Sequence, residues 1–352
     1  MGFDKWKQMV FPRRVLVGHR VLSQLGDLVE GLKFEPRATI VADTTTKRIA
    51  GDDAARLLKA AGHAAKFCLI QGPTMASVRA VKKAAKASRA SYLIGAGGGS
   101  VIDVAKLAAY ELDVPYISLP TSAAHDGIAS ANASIKETEG NVSKTAKAPE
   151  AIVADTHLIA QAPYRMLAAG CGDVLANLVA VKDWELAATL KGEEFSSLAA
   201  ALSRTSAELV LREAHAIRPG LEEAVWVVVK SLITSGVAMS VAGTSRPASG
   251  SEHLFSHMLD RLAPGVAMHG EQCGVGTIMM MRLHRGNWQE IRDTLRTVGA
   301  PTTAKEMRHK PGTILSALQG AHTIRRDRYT ILGETGLTRE AAKSLARETG
   351  VF

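Results

Sequence analysis

Two rhythms of apolar and polar residues divide the chain. Up to about residue 160, short apolar runs alternate with stretches in which apolar residues recur every three or four positions. Val15–Val17, Ala38–Asp43, Ala65–Ile70, Ser91–Gly95, Pro115–Leu119 and Ala151–Asp155 read as buried strands. Between them, Val21–Leu32, Thr44–Ala61, Met75–Ser88 and Val101–Leu112 read as helices, the second with Thr44 or Thr45 as its N-cap. Strands alternating with helices of this length predict a parallel sheet covered on both faces. Ala131–Lys136 and Val142–Lys147, around the turn-like Glu139-Gly140-Asn141, predict a hairpin. After Pro163 the pattern becomes helical: Tyr164–Lys182, Ser196–Ile217, Glu222–Ala242, Gly250–Leu262, Gln272–Leu283 and Trp288–Val298. The expected architecture is a Rossmann-like α/β domain over residues 1–160 and an all-α domain over 161–352.

Composition agrees with this and narrows it. A length of 352 residues fits two domains, and 46% hydrophobic with 22% charged residues excludes wholesale disorder. Three widely spaced cysteines, Cys68, Cys171 and Cys273, exclude a disulfide framework and predict a reducing compartment. No uninterrupted apolar run reaches the roughly 18 residues of a membrane span. Ala224–Val241 comes nearest and is broken by Lys230 and several hydroxyls. Met1–Val10 lacks the apolar core of a signal peptide. The expectation is a cytoplasmic protein without integral membrane contact. The net charge of +9 leaves nucleic acid, an acidic membrane or an anionic metabolite as partners. Aromatic residues at 5% argue against a base-stacking surface. The densest basic clusters, Lys82-Lys83 with Lys86 and Arg325-Arg326 with Arg328, read as solvated faces.

Three segments carry candidate chemistry. Gly95-Ala96-Gly97-Gly98-Gly99-Ser100 ends a strand and opens a helix, where backbone N–H groups and the helix dipole favour a phosphate. It departs from the usual dinucleotide fingerprint, because Ser100 stands where a glycine is expected and the loop follows the fourth strand. Asp43, ending the second strand, reaches a ribose at this loop only if the two strands are neighbours. Asp103 is either a first-turn acid or a cofactor contact, and Lys106 is placed to pair with it. The second segment, Leu119–Gly127, is a hydroxyl-rich loop at a strand's carboxyl end, with Asp126 able to accept a substrate hydroxyl. The third is dispersed. Asp173, His253, His257 and His269 offer a carboxylate and imidazoles for zinc or iron, yet Asp173 and His253 lie 80 residues apart and His253 and His269 lie 16 apart. No compact metal motif applies. Cys171 and Cys273 read as buried small hydrophobes and are left outside the site.

Taken in order, GGGSVIDVAK (97–106), LPTSAAHDGIAS (119–130), GCGDVLAN (170–177), GSEHLFSHML (250–259) and HGEQCG (269–274) resemble the sn-glycerol-1-phosphate dehydrogenase family. That family sits in the superfamily of metal-dependent glycerol dehydrogenases, iron-type alcohol dehydrogenases and dehydroquinate synthase. The resemblance implies a zinc ion on Asp173, His253 and His269, with iron or nickel not excluded. It implies substrate contacts at Asp126, Asp173 and His257, the three residues it marks as catalytic. It implies an NAD or NADP site at Gly97, Gly98, Gly99, Ser100 and Val101, with Asp103, Thr121, Ser122 and Ser130. The implied reaction is reversible reduction of dihydroxyacetone phosphate to sn-glycerol 1-phosphate, the backbone of archaeal-type ether phospholipids. A homo-oligomer is implied as well.

Within this resemblance, Lys144 or Lys147 are candidate partners of the substrate phosphate, or else solvated hairpin lysines. Asp43 followed by Lys47 and Arg48 is compatible with either nicotinamide cofactor. A polyol dehydrogenase on unphosphorylated glycerol, or a dehydroquinate synthase-like lyase, is the alternative within the superfamily. A non-catalytic binder of nucleic acid or acidic lipid is the alternative outside it. It predicts steep salt dependence and no role for the metal-type residues.

Overall fold

The computed structural model describes residues 9–137 and 140–352. Six strands, β1 (Arg14–Gly18), β2 (Arg37–Ala42), β3 (Ala64–Leu69), β4 (Tyr92–Gly97), β5 (Tyr116–Pro120) and β8 (Ala151–Asp155), form one sheet in the order β1-β8-β5-β4-β2-β3. Every pairing in it is parallel. β6 (Asn132–Glu137) and β7 (Gly140–Thr145) form a separate antiparallel hairpin. The turn expected around Glu139 falls partly outside the described residues.

Each strand alternates its side chains between the two faces. Ile40, Ile94, Ile117 and Val153 pack on one face with helices α1 (Leu25–Leu32) and α3 (Asp52–Ala60). Val41, Leu93 and Tyr116 pack on the other with α4 (Met75–Ser88) and α5 (Gly99–Leu112). The strands are thus apolar on both sides, as a covered parallel sheet requires. The helix expected from Thr44 begins as the single turn α2 (Thr44–Thr46) and widens through Lys47–Gly51 before α3. Its cap is Asp43, not a threonine. The Asp43 carboxylate accepts the Thr45 and Thr46 N–H groups at 2.8 and 2.7 Å, and a charged acceptor outcompetes a hydroxyl there.

After the short α6 (Thr156–Ala160) the described residues form no further strand. α7 (Tyr164–Lys191), α8 (Ser197–Glu213), α9 (Glu222–Ala242), α10 (Ser251–Leu262), α11 (His269–Leu283) and α12 (Trp288–Thr297) follow. Two short helices, α13 (Pro311–Gly320) and α14 (Arg339–Glu348), lie beyond the last expected helix. α7 and α9 are long and apolar enough to cross a membrane, but 78% and 61% of their most apolar windows are buried within the chain. They are core helices of one large apolar cluster that also takes in α10 to α14.

One contact in that cluster positions the site. A Cβ on Gly172 of α7 would stand 2.2 Å from the Gly270 carbonyl oxygen of α11. A Cβ on Gly270 would stand 2.0 Å from the Ala169 oxygen. Only glycine lets these two backbones touch. The touch brings Asp173 and His269, the next residue on one helix and the previous residue on the other, to the same depth.

Candidate active site

Asp173 on α7, His253 on α10 and His269 on α11 converge although the sequence separates them widely. Asp173 Oδ1 lies 3.8 Å from His253 Nε2 and 3.6 Å from His269 Nε2. These gaps are too long for hydrogen bonds, and a cation about 2 Å from each donor would fill them. Asp173 Oδ1 is buried without a hydrogen-bond partner, whereas Oδ2 accepts the Asp126 N–H at 2.9 Å. Cys273, left out on sequence grounds, belongs to the same group of ligand-type atoms, with Sγ 3.6 Å from His269 Nε2. It lies one helical turn after His269, a spacing that was legible. Burial pushes its thiol well up from the usual value. Cys171 stays in the apolar core, as expected.

The surroundings fix both imidazoles. Ser256 gives its hydroxyl proton to Gln272 Oε1 at 2.7 Å, and Gln272 gives an amide proton to Asp260 at 3.1 Å. Ser256 Oγ must therefore accept from His269 Nδ1, 3.1 Å away, which leaves Nε2 bare. Glu252 Oε1 accepts the Gly250 N–H at 2.7 Å and faces His253 Nδ1 at 2.8 Å, which assigns the proton of His253 to Nδ1 as well. Both bare nitrogens point at Asp173. Burial drives the carboxyls of Asp126 and Asp173 up, and Asp173 pushes Asp126 further. Two adjacent buried acids with no cation between them resist ionising together. A divalent ion removes that penalty, so the donor set fits a metal.

His257, one turn after His253, has its Nδ1 buried without a partner. Burial, then His269 and Arg325, holds its imidazole down at about 3, so it is neutral. Ser235 Oγ donates to Asp126 Oδ2 at 3.0 Å. Asp126, His253, His257 and His269 line a cavity of about 280 Å³ with Gly99, Ser100, Asp103 and Ser130 on its other wall.

That other wall is the glycine segment. β4 and β5 run side by side with Gly97 opposite Pro120, and the Thr121 N–H donates to the Gly97 oxygen at 3.0 Å. The hydroxyl residues Thr121 and Ser122 are thereby set beside Gly97, Gly98 and Val101. Gly98 is the N-cap of α5 and supplies no side chain to the first N–H groups, which stay available to a phosphate. A Cβ on Gly99 would fall 1.7 Å from His125 Nε2. His125 Nδ1 accepts the Gly127 N–H at 2.9 Å, so its Nε2–H faces the cradle. Sequence reasoning passed over His125, although it sits inside the second motif.

β2 is hydrogen-bonded to β4, so Asp43 meets the condition set for reaching a ribose at this loop. Asp103 departs from one expectation. The helix starts at Gly99, two residues early, and Asp103 falls beyond its first turn. It is buried against fully buried Lys106 at 3.2 Å and accepts the Ser134 N–H at 3.0 Å. Lys106 also donates to the Gly127 and Asn132 oxygens at 2.8 and 2.6 Å. The pair ties α5 to Gly127 and to β6, and Asp103 also borders the cavity.

The two lysines expected near the substrate phosphate are occupied elsewhere. Lys144 pairs with Glu137 at 2.7 Å and Lys147 with Asp113 at 3.4 Å, and neither lines the cavity. The second basic cluster is not a wholly solvated face either. Arg325 lines the cavity, and Arg328 is half-buried with its guanidinium bonded to Ser245 and Ser249.

A family model described as iron-containing alcohol dehydrogenase matches residues 16–163. A protein from Methanosarcina mazei named "Glycerol-1-phosphate dehydrogenase [NAD(P)+]" is 53% identical over 348 residues, covering 99% of this chain and 97% of that protein. A protein of the same name from Pyrococcus furiosus is 51% identical over 344 residues, covering 98% and 99%. Among solved structures, a probable glycerol dehydrogenase from Sinorhizobium meliloti superposes with a TM-score of 0.81 at 19% identity, covering 98% of this chain and 99% of that one. Glycerol dehydrogenase from Schizosaccharomyces pombe gives 0.82 at 20%, covering 99% and 93%. At these identities the structural likeness speaks for the fold alone.

Proposed function

Because the chain belongs to the glycerol-1-phosphate dehydrogenase family, we propose that it reversibly reduces dihydroxyacetone phosphate to sn-glycerol 1-phosphate with NADH or NADPH. The observation that carries the site assignment is the buried, unpartnered Asp173 Oδ1 facing two bare imidazole nitrogens across the cavity from a glycine-built helix N-terminus.

Asp173, His253 and His269 would hold one divalent ion per chain. Two imidazoles with a carboxylate suit zinc best, with iron or nickel next. Gly97–Val101 would hold the cofactor's pyrophosphate, with Thr121, Ser122 and Ser130 as hydroxyl contacts and Asp103 behind them. When bound, the ion supplies a Lewis acid for the carbonyl oxygen and the reduced nicotinamide supplies the hydride. The chain's own residues do the rest. The Asp126 N–H turns Asp173 so that one oxygen faces inward. Ser256 and Glu252 hold the imidazole tautomers that leave Nε2 bare. Asp126, itself oriented by Ser235, accepts a substrate hydroxyl, and neutral His257 orients the substrate and relays the alcohol proton. With cradle and donors on opposite walls, one face of the carbonyl is turned to the cofactor, which sets the product's handedness.

In this reading residues 1–160 form the dinucleotide-binding domain and 161–352 the metal- and substrate-binding domain. The product would enter ether phospholipid backbones. Three free cysteines support a cytoplasmic site of action. Exposed Val10 and Phe11, just before edge strand β1, and exposed Val15 within it support a homo-oligomer.

The test is oxidation of NADH and NADPH with dihydroxyacetone phosphate, before and after chelation, with the product's configuration assigned. Chelation-sensitive formation of the sn-1 isomer is expected. Equal turnover of unphosphorylated dihydroxyacetone would replace this reading with a polyol dehydrogenase.

A further inference from the structure

The cavity that takes the substrate is acidic. Asp103, Asp126 and Asp260 line it, and Asp103 is paired with Lys106. A phosphomonoester dianion entering there needs a positive partner. Among the described residues lining the cavity there is one Lys or Arg, Arg325.

Arg325 differs from its basic neighbours. Arg246 is buried and bound to Glu193 and to the Tyr329 oxygen. Arg328 donates to the Ser249 oxygen at 2.5 Å and to Ser245 Oγ at 2.8 Å. Those bonds pin the loop after Thr323 to the cavity rim, since Ser245 and Ser249 line it too. Arg325, three residues before this anchor, makes no side-chain hydrogen bond or salt bridge with any described residue. Burial lowers the pKa of its guanidinium, and its charge is felt at His253 and His257. It lines the cavity together with His253, His257 and His269.

We propose that Arg325 is the residue that binds the substrate's phosphate and selects a phosphorylated over an unphosphorylated triose. The assignment rests on the reading of the reaction given above. A planar guanidinium left unpaired beside a cavity is the donor geometry that takes two phosphate oxygens at once. It also answers the charge problem, because among the described residues it is the one lysine or arginine that lines a cavity with three carboxylates.

The experiment compares wild type, Arg325→Gln and Arg325→Lys as metal-loaded enzymes of equal metal content and matching circular dichroism. Each is assayed with dihydroxyacetone phosphate, with dihydroxyacetone, and with dihydroxyacetone plus inorganic phosphite. Arg325→Gln should lower kcat/KM for dihydroxyacetone phosphate about a hundred-fold, mainly through KM. It should change dihydroxyacetone turnover less than about three-fold, and Arg325→Lys should fall between. Phosphite should stimulate dihydroxyacetone reduction by wild type and not by Arg325→Gln. An unchanged preference for the phosphorylated substrate in Arg325→Gln overturns the proposal. So does a rise confined to the KM for NADPH, which would assign Arg325 to the cofactor's phosphates. If wild type reduces neither triose, the reaction assignment fails on its own. Calorimetric binding of inorganic phosphate, lost in Arg325→Gln or retained, then decides the role of Arg325.

Discussion

Among the described residues, two clusters place two imidazoles and a carboxylate at ligand distance, and they behave as opposites. In the inner one, Asp173 Oδ1 has no partner and the nearest imidazole nitrogens stand off at 3.6 and 3.8 Å. In the outer one, Glu222 accepts from His19 Nδ1 at 3.1 Å, from His157 Nδ1 at 3.0 Å and from Thr156 Oγ1 at 3.0 Å. Its carboxylate is saturated, and side-chain exposures of 61% for His19 and 41% for His157 leave the rings wet. Residue type alone therefore does not mark a metal centre. The unmet acceptor is what supports the proposed one, because a buried lone pair without a partner costs free energy unless something absent from the chain fills it.

The largest expected effect would break or secure this contrast. Asp173→Asn or His269→Ala should reduce bound metal from about one per chain to none and lower kcat/KM by roughly a thousand-fold or more. Glu222→Gln and His157→Ala should keep both within about two-fold. Metal analysis alongside steady-state kinetics decides it, and metal lost from the outer variants alone would reverse the assignment.

Next comes the seam that builds the inner cluster. A methyl at position 172 must displace the Gly270 carbonyl. Gly172→Ala should cost about 2–3 kcal/mol in urea unfolding and loosen metal binding with it. Unchanged affinity at reduced stability would show that the seam holds the helices and not the centre.

Removing an outer support is milder. Ser256→Ala strips His269 Nδ1 of its acceptor and should weaken metal binding about 10- to 100-fold while leaving the fold intact. Competition with a chromophoric chelator measures it.

The smallest effect concerns pH. Burial holds His125 down at about 4 against 6.5 when free. The unfolded chain takes up this proton first, so stability falls as pH drops from 6.5 through 4. At pH 5 the loss from this one group is about 2 kcal/mol. His125→Asn, whose amide oxygen can still accept the Gly127 N–H, should flatten the fall by that amount. Identical profiles would mean that the ring is not shielded from water.

Local order was legible wherever one helix or strand carries its own signal. α4 runs over Met75–Ser88 as its periodicity predicts, and the hairpin and all six sheet strands lie where alternation and apolar runs place them. α13 and α14 were missed because ten-residue helices give the periodicity few turns to repeat, although Ala342, Leu345 and Ala346 of α14 are buried at helical spacing. The sheet order was not legible, since the β2 to β4 pairing depends on which helix crosses which face. The site was legible as residue types and not as a geometry. Asp173 and His253 meet across 80 residues of chain, and no spacing rule reports a contact made by two glycines. Cys273 and Arg325 were set aside for a related reason. A cysteine on an apolar helix and an arginine in a basic run are ordinary until a cavity is seen beside them.

The backbone contact between Gly172 and Gly270 makes the centre a gauge. Zinc takes nitrogen and oxygen donors at about 2.0–2.2 Å, and calcium sits at about 2.3–2.6 Å from its oxygens. Two helices already in van der Waals contact can offer no slack inward, and their packed backs offer little outward. With Asp173 and His269 as ligands, the separation of two main chains would be transcribed into the radius of the ion that fits between them. On the proposed assignment, selectivity for the ion would be written into bare backbone as much as into the three side chains that would hold it.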